Sequence, residues 1–273
     1  MLRVVGILLA ATAWAGAAAA AGPEDAQGLA ASEILERAFS NLYDCDLRAV
    51  LTLTLRTGHG EESIRQAEIA RKRIRGRLQS YGRFLEPAWM RGTAVLVLDH
   101  GGGSSEHFLF LPEQRRVRRV TSVQRSDAFL GSDLWYEDLE RRDLAQYSIG
   151  GMSEKLLGGE PAYAILATPK QESRYQRVEF DVARSDFLLL KSSFFRGDAE
   201  LPFKTIESER RSALVSEGHV LPTVLLVRNP LRGTTTEARF EGLEMNPELS
   251  ESLFTTVALE AGRRIPGLRD GEP

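Results

Sequence analysis

Cysteine is nearly absent from the 273-residue sequence, and histidine is scarce. The single cysteine, Cys45, cannot form an intramolecular disulfide or build a cysteine-rich zinc site. The four histidines, His59, His100, His107 and His219, never fall at the spacing of metal ligands. We therefore expect neither a metal centre nor a cofactor.

A strong excess of charge of one sign is also lacking. The 35 basic and 38 acidic side chains leave a formal charge of −3, which gives no global electrostatic reason for a nucleic-acid partner. Hydrophobic residues make up 42% and charged residues 27%, an ordinary globular balance. This composition excludes a disordered chain, a collagen and a polytopic membrane protein.

The only long uncharged run lies at the N-terminus. Arg3 supplies a positive start, Val4 to Ala21 carry no charge, and Ala19 to Ala21 offer a small-residue cleavage site before Gly22. A run of this length also reaches the lower edge of a membrane span, but its second half is mostly alanine and weakly hydrophobic. We interpret residues 1–21 as a cleaved signal peptide, and the scarcity of cysteine favours a bacterial periplasm.

Periodicity predicts one helix followed by many strands. Ser32 is a candidate N-cap for a helix in which Ile34, Leu35, Ala38 and Phe39 recur at helical spacing. From residue 47 onward, apolar and polar side chains alternate with the period of two that is typical of strands. Strands are predicted over residues 47–56, 63–74, 77–85, 93–99, 106–111, 115–120, 161–168, 175–182, 187–196, 203–209, 219–228 and 234–240.

This spacing, without a helix between each pair of strands, predicts an antiparallel meander. A sheet of roughly eleven strands curls through its own twist into a barrel or an incomplete barrel. A second helix is predicted near Ser132 to Arg142, and we expect it to cover the concave face together with the first. The expected fold is mainly β with a few helices (α+β), in one domain over residues 22–260 with a loose tail over 261–273.

The segment Ser104 to His107 holds the only cluster of hydroxyl groups, a histidine and an acid. A hydrolase that uses Ser105 and His107 is one interpretation. The segment lacks the strand-to-helix elbow of a nucleophilic serine, however, and follows a glycine run typical of a hairpin loop. We therefore expect no enzymatic activity.

Asp133, Glu137 and Asp138 form the one tight group of carboxylates. Acids at the start of a helix stabilise its macrodipole, and a metal site is the alternative. We favour the helix-terminus role.

Arginine is concentrated in two clusters. An extended chain through the first would project four guanidinium groups from one face of the sheet. Such a basic surface would bind lipid headgroups or an acidic partner, or it would simply protect a sheet edge from aggregation, and both interpretations stay open. The clusters are Arg71, Arg73, Arg75 and Arg77, and Arg115, Arg116, Arg118 and Arg119.

Three segments carry a resemblance to a known family: Met90-Arg91-Gly92, the basic stretch Leu111 to Arg119, and Phe129 to Leu139. They occur in the order typical of the periplasmic outer-membrane lipoprotein-sorting proteins, the LolA-like family. The sequence resembles the longer, exporter-associated branch of that family, which is marked by Gly131-Ser132-Asp133. Leu156 to Glu160, Tyr175 to Phe180 and Phe240 to Leu243 extend the resemblance over nearly the whole mature chain.

The resemblance implies an unclosed, strongly curved antiparallel sheet whose concave apolar face is covered by helices. It also implies a periplasmic carrier that shuttles lipid or lipoprotein acyl chains between an inner-membrane exporter of the RND type and the outer membrane. We expect transient membrane contact, a monomer and no nucleic-acid partner. The alternative is a lipid-responsive regulatory module of the same fold. The motif positions implied as a structural and possible docking signature, with no catalytic role, are Gly131, Ser132, Asp133, Tyr136, Glu137 and Asp138.

A groove for hydrocarbon needs apolar walls and no specific polar contact. Withdrawing a chain of ~15 carbons from water contributes about 0.8 kcal/mol per methylene, on the order of 12 kcal/mol in total. We place Trp89 at the mouth, because it follows Pro87 at a predicted turn. The predicted groove residues, each of which would equally suit an ordinary filled core, are Leu51, Leu53, Leu55, Trp89, Phe108 and Phe110.

Overall fold

The computed structural model describes residues 28–121, 124, 127–171 and 173–268. The predicted signal peptide at residues 1–21 lies outside these residues, as do the last five residues of the chain. The described helices are α1 (Ala31–Tyr43) and α2 (Thr256–Glu260). The described strands are β1 (Leu47–Arg56), β2 (Glu62–Ile74), β3 (Arg77–Glu86), β4 (Ala94–Gly101), β5 (Ser104–Leu111), β6 (Arg116–Arg119), β7 (Tyr147–Leu157), β8 (Glu160–Pro169), β9 (Arg177–Ala183), β10 (Leu189–Phe195), β11 (Lys204–Ser208), β12 (Ala213–Ser216), β13 (His219–Pro222), β14 (Val224–Asn229) and β15 (Thr234–Met245).

Thirteen of these strands form one antiparallel sheet in the order β6-β5-β4-β3-β2-β1-β15-β14-β11-β10-β9-β8-β7. The sheet is strongly curved but does not close, and its edges are β6 and β7. Its accumulated twist bends so wide a sheet. Register shifts, such as those after Arg48 and after Gln66, add local bends. The predicted mainly β fold with an unclosed, curved sheet is confirmed.

The strand predictions failed at places where the chain leaves the regular sheet. Residues 219–228 do not form one strand, because β13 pairs with β12 in a separate hairpin while β14 joins the main sheet. The edge strand β7 was not predicted at all. Most of its side chains are exposed on both faces, so the strand lacks the apolar stripe that alternation detects.

Helix α1 covers one half of the concave face. Its buried residues, among them Ile34 and Phe39, pack on β8 to β10, and the Phe39 ring meets Phe180 edge-on at 5.4 Å. The helix begins at Ala31, one residue before the predicted N-cap. The Glu33 carboxylate accepts a hydrogen bond from the Ala30 backbone N–H at 2.6 Å, so Ser32 lies inside the first turn.

The other half of the concave face is covered by residues 127–146, here called the crossover segment, which lead from the side of β6 to the opposite edge strand β7. The prediction of a helix at Ser132 to Arg142 was wrong. The segment contains only short 3-10 turns, at Phe129–Gly131, Tyr136–Leu139 and Leu144–Gln146. Leu130 and Gly131 adopt left-handed backbone angles, which interrupt a regular helix.

The convex face is covered by the C-terminal residues. Leu249, Leu259 and Ile265 pack against Ala94 and Leu96 of β4. Residues 261–268, predicted as part of a loose tail, are therefore packed against the sheet. The outward apolar side chains of β3 to β5 require this cover, because an uncovered apolar face would be exposed to water.

Candidate functional site

A cavity of about 300 Å³ lies between the concave face of the sheet and its cover. Strands β1 to β4, β10, β11, β14 and β15 form the wall. Leu42 at the end of α1, with Phe129, Leu134 and Leu139 of the crossover segment, forms the cover. Most of the lining is apolar, and the volume lies at the lower end of the range for ligand pockets, about 300–1,000 Å³.

The inward residues of β1 divide among three environments. Leu51 lines the cavity. Leu53 is buried in the core beneath Phe129 of the crossover segment. Leu55 lies at a second, polar depression beside Asp133. Of the three, only Leu51 borders the apolar cavity directly.

The prediction was wrong for two of the groove residues, which lie on the convex face of the sheet, away from the cavity. Phe108 and Phe110 pack under the C-terminal residues on the convex side, whereas His107 and Leu109 point to the concave side. The alternation along β5 was clear from the sequence, but which of its two apolar faces borders the cavity was not. Trp89 is 70% exposed on a 3-10 turn, and the Arg65 guanidinium lies 5.9 Å from its ring centroid.

The Gly131-Ser132-Asp133 motif anchors the crossover segment to the middle of the sheet. The Asp133 carboxylate accepts hydrogen bonds from the hydroxyls of Thr234 and Thr236, the latter at 2.9 Å. The Ser132 hydroxyl donates to the Phe129 carbonyl at 2.7 Å. Asp133 therefore does not stabilise a helix terminus, as the sequence had suggested, but joins the cover to β15.

Asp138 forms a second anchor, in the core. Its carboxylate accepts hydrogen bonds from the Lys204 ammonium of β11 at 2.7 and 3.0 Å, and their side chains are 2% and 1% exposed. The Trp135 backbone N–H donates to the same carboxylate at 2.8 Å. Burial lowers the pKa of Lys204, and the Asp138 carboxylate opposes that shift. Half-buried Glu137 lies on the same turn.

A third anchor joins the crossover segment to β5. The Nε2 atom of buried His107 lies 2.8 Å from a carboxylate oxygen of Glu140. Tyr136 packs edge-on against His107, with ring centroids 6.0 Å apart. Among the described residues, no hydrogen bond joins Ser105 to His107. Through these three anchors the cover is tied to β15, β11 and β5.

The comparisons with known proteins agree with this architecture. A family model described as "-like: Uncharacterized protein" matches residues 76–261, which is more than half of the chain. A solved domain assigned to the outer membrane lipoprotein-sorting proteins, from Vibrio parahaemolyticus, has a TM-score of 0.76 at 22% identity, over 84% of this chain and 96% of that one. The chain belongs to the family that this model describes, and its fold is LolA-like.

Two further structures share the LolA-like fold. A DUF1329 family protein from Desulfovibrio piger matches with a TM-score of 0.76 and 22% identity, over 84% of this chain and 96% of that one. A LolA superfamily protein from Nitrosomonas europaea matches with a TM-score of 0.65 and 20% identity, over 83% and 98%. No curated protein matches the chain in sequence.

The described part of this LolA-like chain contains no helix with the length and apolar character needed to cross a bilayer. It also contains no group of three or more His, Cys, Asp or Glu side chains arranged to hold a metal ion.

The first arginine cluster does not lie on one face of the sheet, so that prediction was wrong. The chain turns back after β2, because Arg75 and Gly76 adopt left-handed angles of φ 50° and 75° in a two-residue hairpin loop. Arg71 lines the cavity, whereas Arg73 pairs with Asp44 at 3.1 Å. Arg77 begins the next strand.

The second arginine cluster lies on the edge strand β6 and the turn before it. Arg116, Arg118 and Arg119 are exposed, and Arg119 pairs with Glu106 at 2.6 Å. Charged side chains on an exposed edge prevent pairing with another sheet. This position supports the edge-protecting interpretation.

Sequence reasoning missed the polar end of the LolA-like cavity. Arg142 of the crossover segment lines this end together with Arg71 and Tyr43. Residue 142 was expected only as the end of a helix, and no local pattern in the sequence relates it to residue 71.

The labelling rate of the single cysteine, Cys45, tests whether the protein is folded around it. Burial raises the pKa of the Cys45 thiol, which lowers its thiolate fraction at neutral pH. We expect an aromatic disulfide reagent at pH 8 to label the native protein at least about tenfold more slowly than protein unfolded in urea. Absorbance of the released thiolate measures both rates. Equal rates would show that Cys45 is accessible in the native state.

Proposed function

We propose that this LolA-like protein carries lipid, or the acyl chains of lipoproteins, in the cavity beneath its crossover segment. The apolar cavity of about 300 Å³ is the observation that supports the proposal most directly. Its walls provide what a hydrocarbon chain needs, since each buried methylene contributes about 0.8 kcal/mol without a specific polar contact.

The construction of the cover supports reversible loading. The crossover segment is joined to the wall by hydrogen bonds and ion pairs from Asp133, Asp138 and Glu140. These polar contacts exchange for contacts with water when the segment lifts away, and the apolar surface of Phe129, Trp135 and Tyr136 that opening exposes would be covered again by an acyl chain. We propose that the crossover segment opens to admit the acyl chain.

The proposed setting is the bacterial periplasm, between an inner-membrane exporter of the RND type and the outer membrane. The signal-like N-terminus, with Arg3 and the uncharged run to Ala21, supports export. The proposed role is binding and transport rather than catalysis, with the motif residues serving to hold the cover.

Lipid analysis of the native protein tests the proposal. Protein produced with its own N-terminus in a bacterial envelope is purified without detergent, and its solvent extract is analysed by mass spectrometry. We expect acyl lipid in near-stoichiometric amount. A clean extract from protein that also fails to bind added lipid would contradict the proposal.

A cavity-filling variant provides the matched comparison. Ala238 is buried and lines the cavity, so Ala238→Phe places a ring in the space of the ligand. If the ring displaces about three methylenes, affinity falls roughly 50-fold. Ala199→Phe adds the same ring at an exposed position and should retain lipid. Equal lipid content in both variants would place the ligand outside this cavity.

A transfer assay separates the carrier from a lipid-responsive regulatory module. Donor vesicles with a fluorescent phospholipid are mixed with unlabelled acceptor vesicles, with and without the protein. A carrier accelerates the appearance of label in the acceptor vesicles. A protein that binds lipid but leaves this rate unchanged would instead be a regulatory module.

A further inference from the structure

One end of the cavity carries two arginines, although most of its lining is apolar; the other polar lining residues are Asp138, Ser80, Ser192 and Ser208. Arg71 from β2 and Arg142 from the crossover segment both border this end, beside Tyr43 at the end of α1. We propose that these two arginines bind the anionic headgroup, carboxylate or phosphate, of a ligand whose acyl chain lies along the apolar walls. The inference rests on the proposed function and names the chemical class of its cargo.

Arg71 is the less satisfied of the two arginines. Among the residues that the structure describes, its guanidinium donates only to the carbonyl oxygen of Cys45 at 3.4 Å and to the Cys45 sulfur at 3.7 Å. Its Nε is buried without a hydrogen-bond partner. Of the nearby carboxylates, Asp44 pairs with Arg73 at 3.1 Å, and Asp46 pairs with Lys72 at 3.4 Å while it also acts on the charge of Arg71. A half-buried cation with so few hydrogen-bond partners is only partly compensated, so an anion at this point would stabilise it.

Arg142 and Lys204 pair with the same carboxylate, that of Asp138. The Arg142 side chain is only 11% exposed, and Nη2 lies 3.3 Å from the Asp138 carboxylate that also binds Lys204. Nη1 donates to the hydroxyls of Tyr147 at 3.2 Å and Tyr175 at 3.4 Å. These distances are long for charge-assisted hydrogen bonds, so Arg142 retains capacity for a stronger acceptor.

The local charges favour an anion. Four cations, Arg71, Arg142, Lys204 and Lys72, outnumber the three carboxylates that act on them, which are those of Asp138, Glu137 and Asp46. Burial raises the pKa of Tyr43, against the lowering effect of both arginines, so its hydroxyl stays protonated and able to donate. A guanidinium presents planar paired donors that match a carboxylate or a phosphate.

Three ligands with the same sixteen-carbon chain test the inference: palmitate, hexadecyl phosphate and the neutral hexadecanol. Each is titrated into delipidated full-length protein below its micelle concentration, and calorimetry gives the dissociation constants. We expect the anions to bind roughly 10- to 100-fold more tightly than the alcohol. The tighter of the two anions indicates whether the headgroup of the cargo is a carboxylate or a phosphate.

Substitution of Arg71 assigns the preference to its site. Arg71→Met should weaken binding of the anions roughly 10- to 100-fold and leave the alcohol unchanged. The matched control is Arg73→Met, two residues along the same strand, where the arginine pairs with Asp44 near the surface. Arg142→Met also removes a partner of Asp138, so Arg71→Met is the primary variant. Circular dichroism verifies the fold of each variant.

The outcomes distinguish failure of the inference from failure of the proposed function. Equal binding of all three ligands to the unmodified protein would overturn the inference and leave acyl-chain carriage intact. A preference for anions that survives Arg71→Met would overturn the assignment to Arg71. Failure of all three ligands to bind would contradict the proposed function itself. The comparison in unmodified protein does not depend on how any variant folds.

Discussion

Asp138→Ala is expected to lower the free energy of unfolding by about 3–5 kcal/mol. The substitution leaves the ammonium of Lys204, which is 1% exposed, inside the core without its carboxylate. It also removes the acceptor for the Trp135 backbone N–H and the charge partner of Arg142. Urea denaturation followed by tryptophan fluorescence measures the change as a shift of the midpoint.

Two further variants show that the loss comes from an unpaired buried charge. Adding Lys204→Met to Asp138→Ala removes the orphaned cation and should recover much of the lost stability. Glu62→Ala breaks a surface pair, since Arg56 and Glu62 are 49% and 43% exposed, and should change stability by about 1 kcal/mol or less. A loss in Asp138→Ala no larger than that of Glu62→Ala would contradict the proposed second anchor.

Truncation after Ala261 should destabilise the protein by about 4 kcal/mol or more. It removes Ile265, a buried side chain worth about 1.5–3 kcal/mol in transfer free energy. It also removes Arg264, whose guanidinium pairs with Glu68, and the backbone N–H of Ile265, which donates to the same carboxylate at 3.4 Å. Glu68 is 0% exposed and would remain as a buried charge without these partners.

The control for this truncation ends the chain after Leu268, which keeps every one of those contacts. We expect its thermal unfolding midpoint to equal that of the full chain. Adding Glu68→Leu to the chain that ends after Ala261 should restore part of the stability, because it removes the buried charge. An unchanged thermal unfolding midpoint for the chain that ends after Ala261 would show that residues 262–268 do not stabilise the folded state.

Both predictions concern polar contacts that join separate layers of the molecule. Asp138 joins the cover to the concave face, and Glu68 joins the C-terminal residues to the convex face. In each layer the apolar contacts provide most of the buried surface, whereas the ion pair fixes where the layer sits. The expected losses are large because each pair leaves a buried charge when one partner is removed.

The elements predicted well are those with local signals. In β1, Leu51, Leu53 and Leu55 face one side while threonines occupy the other, a pattern that needs no knowledge of the rest of the chain. Helix α1 likewise shows its buried stripe in the sequence, and only its first residue was misplaced. The resemblance to the LolA-like family, read from Phe129 to Leu139, indicated how these elements assemble.

The candidate site was predicted less well, because a cavity is formed by residues from distant parts of the chain. Phe108 and Leu109 are both apolar neighbours on β5, and only the positions of the crossover segment and the C-terminal residues decide which of them faces inward. Arg71 and Arg142 meet at one end of the cavity through the path of the crossover segment, which no local periodicity describes.

Alternation along each strand is a local signal, so the sequence alone was enough to predict a wide antiparallel sheet. Only the assembled fold shows which face is hollow, what covers it, and that two half-buried arginines border a mostly apolar cavity. The physical reason is that burial is a property of the assembled layers. A side chain becomes a wall, a core residue or a binding group only once another segment lies over it.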